Sequence, residues 1–144
     1  MMGIRSTLAT LAVLLAIGSH VHAVAAPNDK GGREHVVIQV SDDNVKTWNQ
    51  ALNVVKNLQA AYKGNIDVEV VAFGNGIGML QMDSAVGNRV NETIESGTKV
   101  VACQNTMKGH KLKPDDMLTK IGYVPAGVVE IVKKQNAGWA VIRP

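Results

Sequence analysis

The chain has a single cysteine, one phenylalanine, two tryptophans and two tyrosines among 144 residues, and each scarcity excludes something. One thiol, Cys103, cannot close an internal disulfide, so packing must hold the fold, and the thiol is free, buried or paired outside the chain. Aromatics at 3% supply no stacking platform for single-stranded nucleic acid. The 15 Lys and Arg against 12 Asp and Glu are too balanced to imply nucleic acid as a partner. There is no G-x-S-x-G, and the acids stand at helix starts where capping accounts for them, so neither a serine nor a carboxylate enzyme is indicated. No internal repeat, low-complexity segment or linker is visible.

What is present begins with a leader. Met1 to Arg5 form a short positive region and Leu8 to Ile17 an apolar run. Small residues follow, with cleavage expected near Ala23, Ala25 or Ala26, the pattern of a secretory signal peptide over residues 1–25. The apolar run is about ten residues long, half of what a membrane span needs. An exported, periplasmic protein without a membrane anchor after cleavage is therefore expected. The remaining residues, 26–144, suffice for one domain with one core.

The mature chain alternates strand and helix patterns. His35 to Val40 is almost continuously apolar, as in a strand buried on both faces of a parallel sheet. Ser41 to Asn44 is an N-cap cluster, followed by an apolar stripe at three- and four-residue steps from Val45 to Tyr62 that Gly64 closes. Ile66 to Phe73 is a second strand running into Gly74, Gly76 and Gly78. Met79, Met82, Val86, Val90 and Ile94 mark a helical stripe with a break near Asp83 and Ser84. Lys99 to Ala102 is a third strand that ends at Cys103, with a helix from about Asn105. Lys113 to Asp116 opens a short helix, and Tyr123 to Pro125 is a brief strand or a turn. Val128 to Gln135 suits either a strand or a helix, and the following lysines and Gly138 favour the helix. Trp139 to Ile142 is a last strand. The alternation predicts an open α/β sheet with helices on both faces.

Cys103 is the one candidate reactive group. A thiolate at a helix N-terminus is stabilised by the dipole and by N–H donors, and Gln104, Asn105 and Thr106 can add donors. A buried structural cysteine is the competing reading, since free cysteine is among the most buried residue types. His110 lies two helical turns on, about 10 Å along the axis, so a Cys–His pair would need a bend. Gly74, Gly76 and Gly78 have the wrong spacing for a dinucleotide fingerprint, and Asp42 and Asp43 would repel a phosphate at the first turn. Met79 and Met82 read as core rather than as a copper site, and Cys103, His35 and His110 are too scattered for a metal motif. Neither cofactor nor metal is expected.

Several stretches together resemble the DsrE/DsrF-like sulfur-relay family, closest to its exported, single-domain branch. They are the first strand with Ser41-Asp42-Asp43-Asn44, the helix carrying Asn49-Gln50-Ala51-Leu52-Asn53-Val54, the loop Phe73-Gly74-Asn75-Gly76-Ile77, the stretch Val101-Ala102-Cys103-Gln104-Asn105-Thr106, and Val124 to Ile131. The resemblance implies a flavodoxin-like fold with a mostly parallel sheet, assembly into homotrimers or hexamers, and a cysteine that accepts sulfur as a persulfide and passes it to a partner protein. Only Cys103 can hold that role. Asn75, Gly76, Gln104, Asn105, Thr106 and His110 are the expected supporting residues. The alternative is a small-molecule-binding or assembly module in which Cys103 is structural and the Gly74–Gly78 loop, with Asn75, lines the pocket.

Overall fold

The computed structural model describes residues 32–144, and the expected leader lies outside them. Five strands, β1 (Glu34–Val40), β2 (Ile66–Ala72), β3 (Lys99–Cys103), β4 (Gly122–Val124) and β5 (Ala140–Ile142), form one sheet in the order β4-β3-β2-β1-β5. Every pairing between them is parallel. The helices are α1 (Val45–Ala61), α2 (Gly87–Glu95), α3 (Gln104–Gly109) and α4 (Gly127–Asn136). This is the open α/β architecture of the flavodoxin-like class.

The strand order dictates where the helices lie. The steps β1 to β2, β2 to β3 and β3 to β4 all run in one direction, so right-handed crossovers put their connections on one face. That face carries the main core, in which Ile38, Val40, Val70 and Ala102 meet Trp48, Leu52 and Val55 of α1, Val90 of α2 and Met107 of α3. The return from β4 to β5 runs the other way, which puts α4 alone on the opposite face. A smaller core of Val37, Val71, Val101 and Val124 lies there against Ile131.

α1 forms where its stripe predicts, capped by the Asn44 side chain, which accepts from the Lys46 N–H at 2.9 Å. The stripe from Met79 to Ile94 does not form one helix. A 3-10 helix over Gly74–Leu80 comes first, and α2 starts only at Gly87. At the break, Ser84 Oγ accepts from the Val86 N–H, a local alternative that competes with a continuous helix. Met82 consequently points outward at 63% exposure while Met79 is fully buried. The ambiguous stretch from Val128 is helical, and the brief strand at Tyr123 exists as edge strand β4.

One charge lies inside the smaller face. Glu69, in the middle of β2, is fully buried and pairs with Lys134 Nζ of α4 at 2.8 Å and with Lys99 Nζ of β3 at 3.3 Å. Lys134 Nζ also sits 4.0 Å from the centre of the Trp139 ring, which fixes the approach to β5. α4 is thus held at its far end by a buried ion pair and at its near end by the contacts described next.

Candidate functional site

Cys103 ends β3 and is the N-cap of α3. Its Sγ accepts the Thr106 N–H at 3.4 Å, one of the donors that a helix start leaves unpaired. The Thr106 hydroxyl oxygen meanwhile accepts the Gly74 N–H at 3.0 Å. The same side chain favours the ionised sulfur, so the glycine loop touches the residue that tunes the thiol without touching the thiol itself.

The second side of the thiol faces α4. That helix has Ala126 at its N-cap, a residue with no side chain to accept a hydrogen bond. Its first N–H, on Gly127, instead faces the Cys103 side chain and favours the ionised sulfur. A Cβ on Gly127 would stand 2.9 Å from Phe73 Cβ and 3.3 Å from Cys103 Cβ, so only glycine lets the helix start come this close. The sulfur therefore caps α3 and stands against the start of α4.

The electrostatic outcome follows from opposing effects. Burial pushes the Cys103 thiol up, but hydrogen bonds from the Thr106 hydroxyl and from the N–H groups of Gly127, Thr106 and Asn105 outweigh it and hold the thiol below its ordinary value. The Asn105 N–H is shared, since it also donates to the Pro125 carbonyl at 3.1 Å. Cys103 is only 4% exposed in the single chain, yet Gln104 and Asn105 immediately after it are exposed.

The expected supporting residues divide. Thr106 and Asn105 meet the sulfur. Gly76 is buried against β1, where an added Cβ would fall 2.3 Å from the Val40 carbonyl oxygen, so its role is to let the loop pack on that strand. Asn75 beside it is exposed, and Gln104 lines a separate cavity. His110 is exposed at the far end of the six-residue α3, where its N–H donates to the Thr106 carbonyl at 3.0 Å. Among the hydrogen bonds of the described residues, no imidazole reaches Cys103, so the thiol is tuned by helix starts and a hydroxyl.

Gly127 is the contributor that sequence reasoning missed, whereas the Gly74–Gly78 loop does lie by the Cys103 strand end, through the Gly74 N–H on Thr106. The requirement at Gly127 is steric and comes from Phe73, Val71 and Cys103 on other elements, so the sequence around it carries no signal of it. Cys103 also lies away from the point between β1 and β5 where the strand order reverses, the usual ligand crevice of an open sheet. It stands one strand in from the β4 edge, with Val124 as its register partner. Among the described residues, no group of three or more His, Cys, Asp or Glu is placed to hold a metal ion.

A parallel open sheet with a thiol at a strand end and helix N-cap defines a small α/β protein of the thiol-bearing kind. The DsrE/DsrF-like family model matches residues 16–144, and the chain belongs to that family. It is similar to MTH1491 of Methanobacterium thermoautotrophicum, a protein of unknown function, at 33% identity and a TM-score of 0.74 over 77% of this chain and 99% of that one. BT1422 of Bacteroides thetaiotaomicron, also of unknown function, shares the fold at 15% identity, with a TM-score of 0.65 over 77% of this chain and 95% of that one. The ychN protein of E. coli does so at 10% identity, with a TM-score of 0.63 over 78% of this chain and 99% of that one. No curated protein matches the chain.

Proposed function

We propose that this protein is an exported carrier of sulfane sulfur that uses Cys103 as its acceptor. The observation that supports the reading is the sulfur's place as N-cap of α3, with polar groups of Thr106 and the start of α4 around it favouring a thiolate where a structural cysteine needs only apolar neighbours. Family membership is consistent with sulfur relay.

In the first step the Cys103 thiolate attacks the outer sulfur of a donor persulfide. The donor S–S bond breaks, the donor leaves as a thiolate, and Cys103 holds the persulfide. An acceptor thiolate then attacks that outer sulfur, takes it as its own persulfide and returns Cys103 to the thiolate. The two steps conserve electrons, so neither a second cysteine nor a cofactor is needed. The same N–H groups that favour the thiolate make Cys103 a good leaving group in the second step, because a lower thiol pKa speeds departure.

Export rests on the leader sequence at residues 1–25. Among the described residues no helix is long and apolar enough to cross a membrane. Self-association, as a homotrimer or hexamer, is supported by α4, whose outer side exposes Val128, Val129 and Val132 beside the Cys103 end of the helix. Packing that side against another copy would remove three valines from water and enclose the approach to the thiol.

The test is to incubate the protein with a sulfane-sulfur donor and weigh it. An adduct of one sulfur on Cys103, absent from Cys103→Ser, is the expected result, and an unmodified thiol would favour the alternative of a structural cysteine in a binding or assembly module. Light scattering with Val129→Asp/Val132→Asp addresses assembly. The wild type is expected as an oligomer and the variant as a monomer, whereas a wild-type monomer at micromolar concentration would refute self-association.

A further inference from the structure

Glu69 is a buried carboxylate that the chemistry of Cys103 does not use. It stands in an apolar strand, with Val68, Val70, Val71 and Ala72 buried around it. Replacing a buried ion pair by apolar side chains is often neutral or stabilising, so stability alone does not account for a charge at this place. Its nearer partner, Lys134, belongs to α4, the helix whose start faces Cys103. Three features connect the two ends of that helix.

The first is how little else holds it. Within α4 only Gly127 and Ile131 are buried and only Glu130 and Lys134 are half-buried, while the other residues are exposed. The face turned to the sheet is therefore one glycine, one isoleucine and two charged side chains. Ile131 rests on Val37, Val71, Val101 and Val124. Apolar contact is non-directional, so an isoleucine on a floor of valines does not by itself fix the line of the helix. The second is the fixing of Lys134. Its Nζ lies 2.8 Å from Glu69, 3.7 Å from Glu130 and 4.0 Å from the centre of the Trp139 ring, and its carbonyl accepts the Trp139 N–H at 3.0 Å. The third is the near end. Ala126 brings no side-chain cap, and the Asn105 N–H on the Pro125 carbonyl at 3.1 Å ties the preceding turn to α3. That bond supplies a pivot and not a direction. A helix held at a pivot is aimed by its other end, and Lys134 lies seven residues, about 10 Å, along the axis from Gly127.

We infer that Lys134 is a positioning residue for Cys103: its ion pair with Glu69 sets the line of α4 and thereby the approach of the Gly127 N–H to the sulfur. Lys134 acts through the helix and does not touch the thiol. The inference concerns the surroundings of the sulfur and holds whether or not sulfane sulfur is carried. The competing account is the plain field of the charges, and the two differ in sign. Loss of the Glu69 charge would by its field favour the thiolate, and loss of Lys134 would disfavour it. Loosened positioning disfavours the thiolate in both cases.

The experiment is the pH profile of iodoacetamide alkylation and of thiolate absorbance on the purified protein, with circular dichroism to confirm the fold of each variant. Glu69→Gln and Lys134→Met are each expected to raise the midpoint by about 0.5–1 pH unit, up to the loss of one donor on the sulfur. The double variant should match the single ones, since the two residues act as one contact. Lys99→Met removes the other cation beside Glu69, four residues or about 13 Å before Cys103 on its own strand, and leaves α4 alone, so its midpoint should stay at the wild-type value. A lowered or unchanged midpoint in Glu69→Gln, equal shifts in Lys99→Met and Lys134→Met, or shifts that add in the double variant would each overturn the inference. Should Glu69→Gln not fold, the contrast between Lys134→Met, in which Glu69 keeps Lys99, and Lys99→Met decides. No sulfur donor enters these measurements, so raised midpoints in a protein that takes up no sulfur would remove the carrier reading alone, and sulfur uptake with unmoved midpoints would remove the positioning alone.

Discussion

Replacing Thr106 by valine isolates the one side-chain donor on the Cys103 sulfur while keeping the shape of the residue. Valine removes the hydroxyl that donates to the thiolate and, with it, the acceptor for the Gly74 N–H at 3.0 Å. A hydrogen bond to an ionised group is worth about 1.5–3 kcal/mol, and sulfur is a weak acceptor, so the lower end applies. That is about a tenfold loss in the thiolate-to-thiol ratio at any pH below the midpoint. The thiolate that remains is more basic and more nucleophilic, with a Brønsted slope of about 0.4–0.5, which returns roughly threefold. Alkylation by iodoacetamide below the midpoint should therefore slow by only about threefold to fourfold, while the thiolate absorbance at the same pH falls about tenfold. Thr106→Ser, which keeps the hydroxyl, should track the wild type in both measurements. An unchanged pH midpoint in Thr106→Val would refute the claim that the glycine loop and Thr106 together tune the thiol.

Further outcomes follow from the same contacts. Gly127→Ala should lower stability by about 1–3 kcal/mol and raise the thiol midpoint, because its methyl, 2.9 Å from Phe73 Cβ, pushes the α4 start off the sulfur; chemical denaturation and the alkylation profile read the two effects. Because the folded thiol lies below its ordinary value, its ionisation contributes stability that is fully present above that ordinary value and is lost as pH falls through the folded one. Cys103→Ser should flatten that segment of the curve of melting temperature against pH. Lys134→Met should cost about 3 kcal/mol by stripping the closer partner from buried Glu69, whereas Lys99→Met, at a side chain 58% exposed, should cost less than about 1 kcal/mol in urea unfolding.

Much of the architecture was legible because it is local. The continuous apolar runs of β1 and β3 and the stripe of α1 are written at spacings of one and of three to four residues, and those elements stand where their patterns put them. The break expected near Asp83 and Ser84 in the stripe from Met79 to Ile94 is present, where Ser84 turns its hydroxyl onto the backbone; what periodicity did not show is that the part before it is a 3-10 helix already begun at Gly74. Cys103 at a strand end and helix start was equally legible, as was the donation from Thr106. Gly127 and Glu69 were not. Their partners lie on other elements, at Cys103, Phe73, Lys99 and Lys134, and only the strand order that sends α4 alone across the second face brings them together. His110 illustrates the reverse case: a suggestive spacing from Cys103 that α3, ending at Gly109, does not turn into a contact.

The central claim is that Cys103 takes up and gives away sulfane sulfur, and cyanolysis of the loaded protein tests it most directly. The protein is incubated with a persulfide donor, freed of excess donor and treated with cyanide, which removes an outer sulfur as thiocyanate. The account predicts one thiocyanate per chain, return of the mass to that of the free thiol, and none of either from Cys103→Ser. No thiocyanate from the wild type, or the same yield from Cys103→Ser, would contradict it.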